Sequence, residues 1–114
     1  MEKSRFVKDI EAEVTFLLPE NGGRKKPIFY GYRPTFVYDN RAWDASLWFD
    51  GEDFYAQGVP VKVFFEFVSP DCHVGKLVTG KMFELHDGRV IARGHVLRVV
   101  DLEDSARKVL AKKG

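Results

Sequence analysis

The chain has 114 residues, a length typical of one domain, and its 45% hydrophobic and 31% charged residues exclude a disordered chain. No apolar run approaches the roughly 20 residues of a membrane-spanning helix, and residues 1–8 lack the apolar stretch of a secretory signal. The net charge of +1 lacks the basic excess of a dedicated nucleic-acid-binding protein, and one cysteine, Cys72, cannot form an internal disulfide. These features predict a single cytoplasmic domain.

Apolar and polar residues alternate with period two along most of the chain, which is typical of half-buried β-strands. Six segments show the pattern: 10–16, 30–38, 41–49, 60–68, 78–86 and 89–100. Pro34 has no N–H to donate to a strand ladder, so we expect it at an edge or an irregular position. Six strands with no helix between them favour an all-β fold, either an antiparallel barrel or a sandwich.

The end of the chain is predicted to form a hairpin and a helix. Asp87-Gly88 favours a two-residue type I′ turn between the last two strands. Small residues alternate along the final strand, which suits the packed interior of a closed barrel. A short helix over 101–112 follows, with acidic residues in its first turn and basic residues in its last. Its apolar face, which includes Leu102, Ala106 and Leu110, is predicted to dock on the barrel.

Residues with catalytic potential are few. The sequence contains no phosphate-binding loop, dinucleotide-binding glycine motif or hydrolase nucleophile elbow. We interpret Glu11 and Glu13 as a solvated strand face rather than an acid–base pair. Asp71, Cys72 and His73 are interpreted as a passive loop, because a nucleophile and its base must converge in space. The histidines have no metal-ligand spacing, so we predict no metal, no cofactor and no enzymatic activity.

Positive charge between the first two strands is the strongest binding signal. Arg24, Lys25 and Lys26 are consecutive in a predicted loop, and Arg33 follows near the next strand. Such a cluster can contact phosphates or an acidic protein surface, and Tyr32 nearby could stack on a base. The alternative is a solvated loop beside ordinary core aromatic residues.

The order of these motifs resembles the third, C-terminal domain of the elongation factor Tu family, over roughly residues 10 to 100. The motifs that carry the resemblance are Glu11-Ala-Glu-Val14, Gly22-Gly-Arg24, Gly31-Tyr-Arg-Pro34 and Asp87-Gly-Arg89 through Gly94. The resemblance implies a closed six-stranded antiparallel barrel followed here by a short C-terminal helix. In that family the barrel packs on a GTPase domain and grips the T-stem of aminoacyl-tRNA. The GTPase domain is absent from this chain, so the resemblance implies no GTP binding.

The resemblance also assigns individual positions. Arg24 and Arg33 match arginines of the family motif. Thr35 replaces a usual glutamine, Ser69 stands where some members have an RNA-contacting lysine, and Asp87 puts an acidic group near the expected RNA side. The predicted binding residues are Arg24, Lys25, Lys26, Tyr32, Arg33, Thr35, Ser69 and Asp87.

Two functions from different classes follow. The first is a non-catalytic binding module with a protein partner, in translation if the resemblance extends to biology. The alternative is an RNA-binding module that recognises tRNA-like helices through phosphate contacts and whose affinity falls steeply with salt. Neither function involves a membrane. Trp48 and Phe64 depart from the simple alternation, and we expect them either to pack beneath the helix or a loop, or to contact a partner.

Overall fold

The alternating segments form six antiparallel strands that close into a barrel. The computed structural model of the chain describes residues 7–23, 32–49 and 57–113. The elements are β1 (Ile10–Phe16), β2 (Thr35–Tyr38), β3 (Arg41–Trp48), β4 (Pro60–Phe67), β5 (Met82–His86), β6 (Val90–Val99) and helix α1 (Leu102–Lys113). Around the barrel the strands follow the order β1-β4-β3-β2-β5-β6, and β6 pairs again with β1. Of the two all-β architectures, the barrel is therefore the one that forms.

Aromatic rings fill the barrel, and six described phenylalanines belong to its core: Phe16, Phe36, Phe49, Phe65, Phe67 and Phe83. Phe36 is fully buried and stacks on Phe83, with 4.3 Å between ring centroids. The rings of Phe65 and Phe67 meet it edge-on at 5.0 and 4.9 Å. Edge-to-face and offset arrangements are the favoured geometries for aromatic pairs, so Phe36 is the centre of the core.

Small residues on β6 suit the packed interior of the barrel, as the sequence predicts, and at Gly94 they also allow β1 to approach closely. A Cβ atom on Gly94 would lie 2.5 Å from the Glu13 carbonyl oxygen and 2.9 Å from the Phe83 ring. Such distances are far below van der Waals contact, so only glycine fits between the strand and the aromatic core.

Two strands are shorter than the alternation predicts. β2 begins at Thr35, directly after Pro34, so the proline lies outside the ladder as expected; the predicted strand also includes 30–31, which lie outside the described residues. β5 begins at Met82 because Gly80, with φ of 91°, turns the chain just before it. The apolar–polar alternation of the sequence continues through this turn, so the predicted strand, 78–86, is longer than β5.

The type I′ turn occurs at a different hairpin from the predicted one. This turn needs positive φ at both central residues, whereas only Gly88 of the Asp87-Gly88 pair has it. The β5–β6 hairpin forms, but the prediction of a type I′ turn at Asp87-Gly88 is therefore wrong. Between β2 and β3, Asp39 and Asn40 have φ of 51° and 63°. Aspartate and asparagine are among the non-glycine residues that tolerate this region best, so this pair forms the two-residue turn.

Phe64 packs rather than facing solvent. In the register of β4 it pairs with Trp48 of β3 and Glu11 of β1 on the outside of the barrel, yet it is only 6% exposed. The Lys8 ammonium lies 4.2 Å from the centroid of its ring. The chain entering β1 therefore covers this outward ring, in agreement with the packing alternative for Phe64.

Candidate functional site

The predicted binding residues do not all come together in the described part of the chain. Arg24, Lys25 and Lys26 lie outside the described residues. Tyr32 is buried, and its hydroxyl donates a hydrogen bond of 2.5 Å to Oδ2 of Asp87. This bond ties the segment before β2 to the β5–β6 connection, so both side chains have a structural partner.

Two of the remaining predicted residues, Thr35 and Ser69, lie on or beside one row of paired residues across the barrel surface. Thr35 pairs with Asp44 of β3 and with His86 of β5. Val68, which precedes Ser69, donates its backbone N–H to the Asp44 carbonyl. Neighbouring strands are about 4.8 Å apart, so Ser69 and the β5–β6 connection lie at opposite ends of a row four strands wide. Thr35, Ser69 and Asp87 therefore span an extended face rather than lining one pocket.

Glu11 is not the solvated side chain that its alternation predicts. It is 7% exposed, and its carboxylate lies 2.6 Å from the Arg98 guanidinium and 3.4 Å from the Lys62 ammonium. The hydrogen bond from Arg98 lowers the pKa of Glu11. A register shift beside Glu11 brings Arg98 opposite it, so the irregularity in β6 creates a charge cluster that simple alternation cannot predict.

Helix α1 docks on the connection between β4 and β5, as its apolar face predicts. This connection contains a 3₁₀ turn, Pro70–Cys72, which we call the cap turn, and α1 packs directly against it. Leu102 and Ala106 are 1% and 5% exposed and form the docked face. Leu110, which was predicted on the same face, is 54% exposed. The second half of α1 therefore presents apolar surface to solvent.

A buried aspartate fastens α1 to the barrel. Asp9 is fully buried at the start of β1, and its Oδ2 accepts a 2.8 Å hydrogen bond from the backbone N–H of Phe67. Its Oδ1 accepts a 2.5 Å hydrogen bond from the hydroxyl of Ser105 in α1. Burial raises the pKa of Asp9, while these two hydrogen bonds act in the opposite direction. One carboxylate thus joins β1, β4 and α1.

The Ser105→Ala variant is expected to lose about 1–3 kcal/mol of unfolding free energy, because a buried carboxylate oxygen of Asp9 loses its donor. Urea denaturation followed by circular dichroism measures this loss. Ser46→Ala, at a half-buried position on the outside of β3, is the matched control and should change stability by less than about 0.5 kcal/mol. Equal stability of the two variants would contradict the role of Ser105.

Two grooves run along the two sides of α1, where the helix rests on the cap turn. The first has a volume of about 330 Å³, and the second about 260 Å³. The first is lined by Asp9, Glu66, Phe67, Val68, Pro70, Ser105, Lys108 and Val109. The second is lined by Asp71, Val74, Glu103, Ala106, Arg107 and Leu110. Both grooves combine aliphatic side chains with charges of both signs.

Four aliphatic residues of these grooves form what we call the helix-flank surface: Val68, Val74, Val109 and Leu110. Val68, Val74 and Leu110 are 56%, 40% and 54% exposed, and Val109 is half-buried. Val68 and Val109 line the first groove and Val74 and Leu110 line the second, and exposed apolar residues at a groove are more informative than scattered ones. This surface is the strongest candidate for a docking site in the described part of the chain.

The first groove is also electrostatically unusual. Burial raises the pKa of Glu66, and the negative charge of Asp9 raises it further, while Arg33 acts in the opposite direction. Arg33 is thus near enough to Glu66 to influence its charge, although its own side chain is exposed. The exposed Arg33 does not itself line either groove.

His73, which directly follows the cap turn, has a buried imidazole ring. It is fully buried, and its Nδ1 lies 2.6 Å from the Tyr38 hydroxyl. The Trp43 and Phe67 rings pack on it, with centroids at 4.5 and 4.4 Å. Burial lowers the pKa of His73 to about 4, so the imidazole is neutral at pH 7. Its environment is that of a core residue.

No group of three or more histidine, cysteine, aspartate or glutamate side chains within residues 7–23, 32–49 and 57–113 is arranged to hold a metal ion. Within the same ranges, no helix has the length and apolar character needed to cross a bilayer. A comparison with known protein families finds no family model that matches the sequence.

Proposed function

We propose that the chain is a non-catalytic binding module and that its partner is a protein docking on the helix-flank surface. The observation that carries this proposal is the exposure of Val68, Val74 and Leu110 beside the two grooves. Aliphatic groups at a groove favour a partner that also buries apolar surface, because burial is worth about 25 cal/mol per Å².

The charges of the grooves favour a protein over a nucleic acid. Glu66 lines the first groove, and Asp71 and Glu103 line the second. These carboxylates would repel a phosphate backbone, whereas Lys108 and Arg107 beside them suit a partner that carries both signs. A mixed-charge rim around apolar residues is typical of protein interfaces.

The resemblance to the third domain of elongation factor Tu supports the same class of function. In that family the barrel contacts neighbouring protein domains, and α1 lies outside the matched residues. On this proposal, α1 and the cap turn supply a protein-binding surface of this chain's own, and a component of the translation apparatus is the first class of partner to test.

The test compares two double variants by affinity capture from lysate of the source cells, with one half of the lysate treated with RNase and the other half untreated. Val74→Gln/Leu110→Gln removes two aliphatic groups of the second groove. Val59→Gln/Val78→Gln is the control, because these residues are similarly exposed, at 47% and 49%, and line neither groove. Glutamine adds no charge, so neither variant alters electrostatic attraction to RNA.

We expect the wild type and the control to retain the same protein, and the groove variant to retain at least about tenfold less of it. Equal retention by all three chains would contradict docking on the helix-flank surface. Material that disappears on RNase treatment from every chain would instead favour the RNA-binding alternative, with Arg33 as the first described residue to substitute.

A further inference from the structure

A separate cleft lies at the β2–β3 turn, and none of its lining residues belongs to the two grooves of α1. Its volume is about 210 Å³, below the size of typical drug-binding pockets. It is lined by Tyr38, Asp39, Arg41, Trp43 and Lys76. The turn at Asp39 and the first residues of β3 contribute Arg41. Lys76, which follows the cap turn, contributes a second cationic residue.

Arg41 is held in place by an aromatic residue. Its guanidinium carbon lies 4.8 Å from the centroid of the Trp43 ring. Trp43 in turn meets the ring of buried His73 edge-on at 4.5 Å. A guanidinium held over an indole loses less freedom on binding, and its planar N–H groups match the oxygens of a phosphate.

Positive charge in this cleft is only partly neutralised. The Asp39 carboxylate also lines the cleft, but the Lys81 ammonium binds it at 2.8 Å. Arg41 and Lys76 form no ion pair with any described residue, and thus two cationic residues line the cleft without a carboxylate of their own. The Arg41 guanidinium and the Lys76 ammonium could therefore both bind one anion in this small cleft.

The aromatic groups of the cleft are already engaged. Arg41 covers one part of the Trp43 ring and His73 meets it edge-on, while the Tyr38 hydroxyl bonds to His73. Base stacking, which is the main sequence-tolerant contact to single-stranded nucleic acid, would have to displace these contacts. The cleft therefore suits a compact anionic group better than a nucleobase.

From this juxtaposition we infer that the cleft is a binding site for the phosphate group of a small phosphomonoester, held by Arg41 and Lys76. The site is independent of the proposed protein-binding function, because the two share no lining residue. Failure of one proposal leaves the other in place.

The test is an NMR titration of the ¹⁵N-labelled full chain with methyl phosphate, and separately with inorganic phosphate and a short RNA duplex. Arg41→Gln and Lys76→Gln each remove one cation. Arg41→Lys keeps the charge and loses the planar fork, and Lys112→Gln removes an exposed lysine of α1 as the control.

We expect methyl phosphate to cause saturable shifts at the Trp43 indole and at Lys76, and each of the two glutamine variants to weaken binding at least about tenfold. The Arg41→Lys variant should be intermediate and the Lys112→Gln control unchanged. Binding of inorganic phosphate alone would show that the ester group is not accommodated. Shifts that do not saturate, equal weakening by the control, or an RNA duplex that methyl phosphate cannot displace would each overturn the inference.

Discussion

The Phe36→Ala variant is expected to lose about 3–5 kcal/mol of unfolding free energy, because its ring is the centre of the barrel core. Phe36 is fully buried and contacts the rings of Phe65, Phe67 and Phe83. The total unfolding free energy of a small domain is only about 5–15 kcal/mol, so this single change should leave the chain marginally folded.

Urea denaturation at 25 °C, followed by circular dichroism, measures the effect. The neighbouring Val37→Ala change is the matched control, since Val37 is half-buried on the outside of the same strand, and should cost less than about 1.5 kcal/mol. A loss at Phe36 no larger than the loss at Val37 would show that the aromatic cluster does not hold the barrel together.

The second large effect is a loss of stability in acid that depends on His73. Burial lowers the pKa of His73 from 6.5 to about 4, so between these values the unfolded chain binds more protons at this residue than the folded chain. The stability contribution of the neutral imidazole is therefore complete above pH 6.5 and is lost as the pH falls toward 4. The shift corresponds to roughly 3 kcal/mol, because one pKa unit is about 1.4 kcal/mol.

Other groups have the opposite dependence and must be separated from His73. The raised pKa values of Asp9 and Glu66 make the folded chain gain stability as the pH falls through them. The measurement is thus the difference in unfolding free energy between wild type and His73→Asn, at pH values from 7.5 to about 4.5. Asparagine retains an acceptor for the Tyr38 hydroxyl but does not titrate.

We expect the advantage of the wild type over His73→Asn to shrink by roughly 2–3 kcal/mol as the pH falls through this range. The same change should appear in the ring-proton shifts of His73, which should stay those of a neutral imidazole until the pH nears 4. A His73 ring that titrates near pH 6.5 in the folded chain, or a difference that is independent of pH, would contradict the buried neutral state.

The sequence predicts the six strands well because the strand pattern is local, although alternation alone does not choose between a barrel and a sandwich. Alternation over Ile10–Phe16 follows from the two faces of one strand, and the small residues of the final strand suit a packed barrel interior. The C-terminal helix is predicted for the same reason, since its charged ends and its apolar spacing lie within one segment. Turn types are harder to predict: the type I′ turn is predicted at Asp87-Gly88 and forms at Asp39-Asn40.

The candidate site is less predictable because its contacts join distant parts of the chain. Ser105 and Asp9 are 96 residues apart in sequence, and neither belongs to a recognisable motif. Glu11 is buried by Arg98, which a strand irregularity places beside it. The exposure of Leu110 depends on how far α1 extends past the cap turn. Periodicity gives the face of a residue, but it does not specify what covers that face.

The central claim is that a protein docks on the helix-flank surface, and the most direct measurement is its binding footprint. The partner recovered by affinity capture is added to ¹⁵N-labelled chain, and the shift or broadening of each backbone amide is recorded. We predict that the affected amides cluster at Val68, at Val74 and along Val109 and Leu110. Changes confined to Arg33, Thr35 and the β5–β6 connection, with α1 unaffected, would contradict the claim and move the interface to the residues predicted for RNA binding.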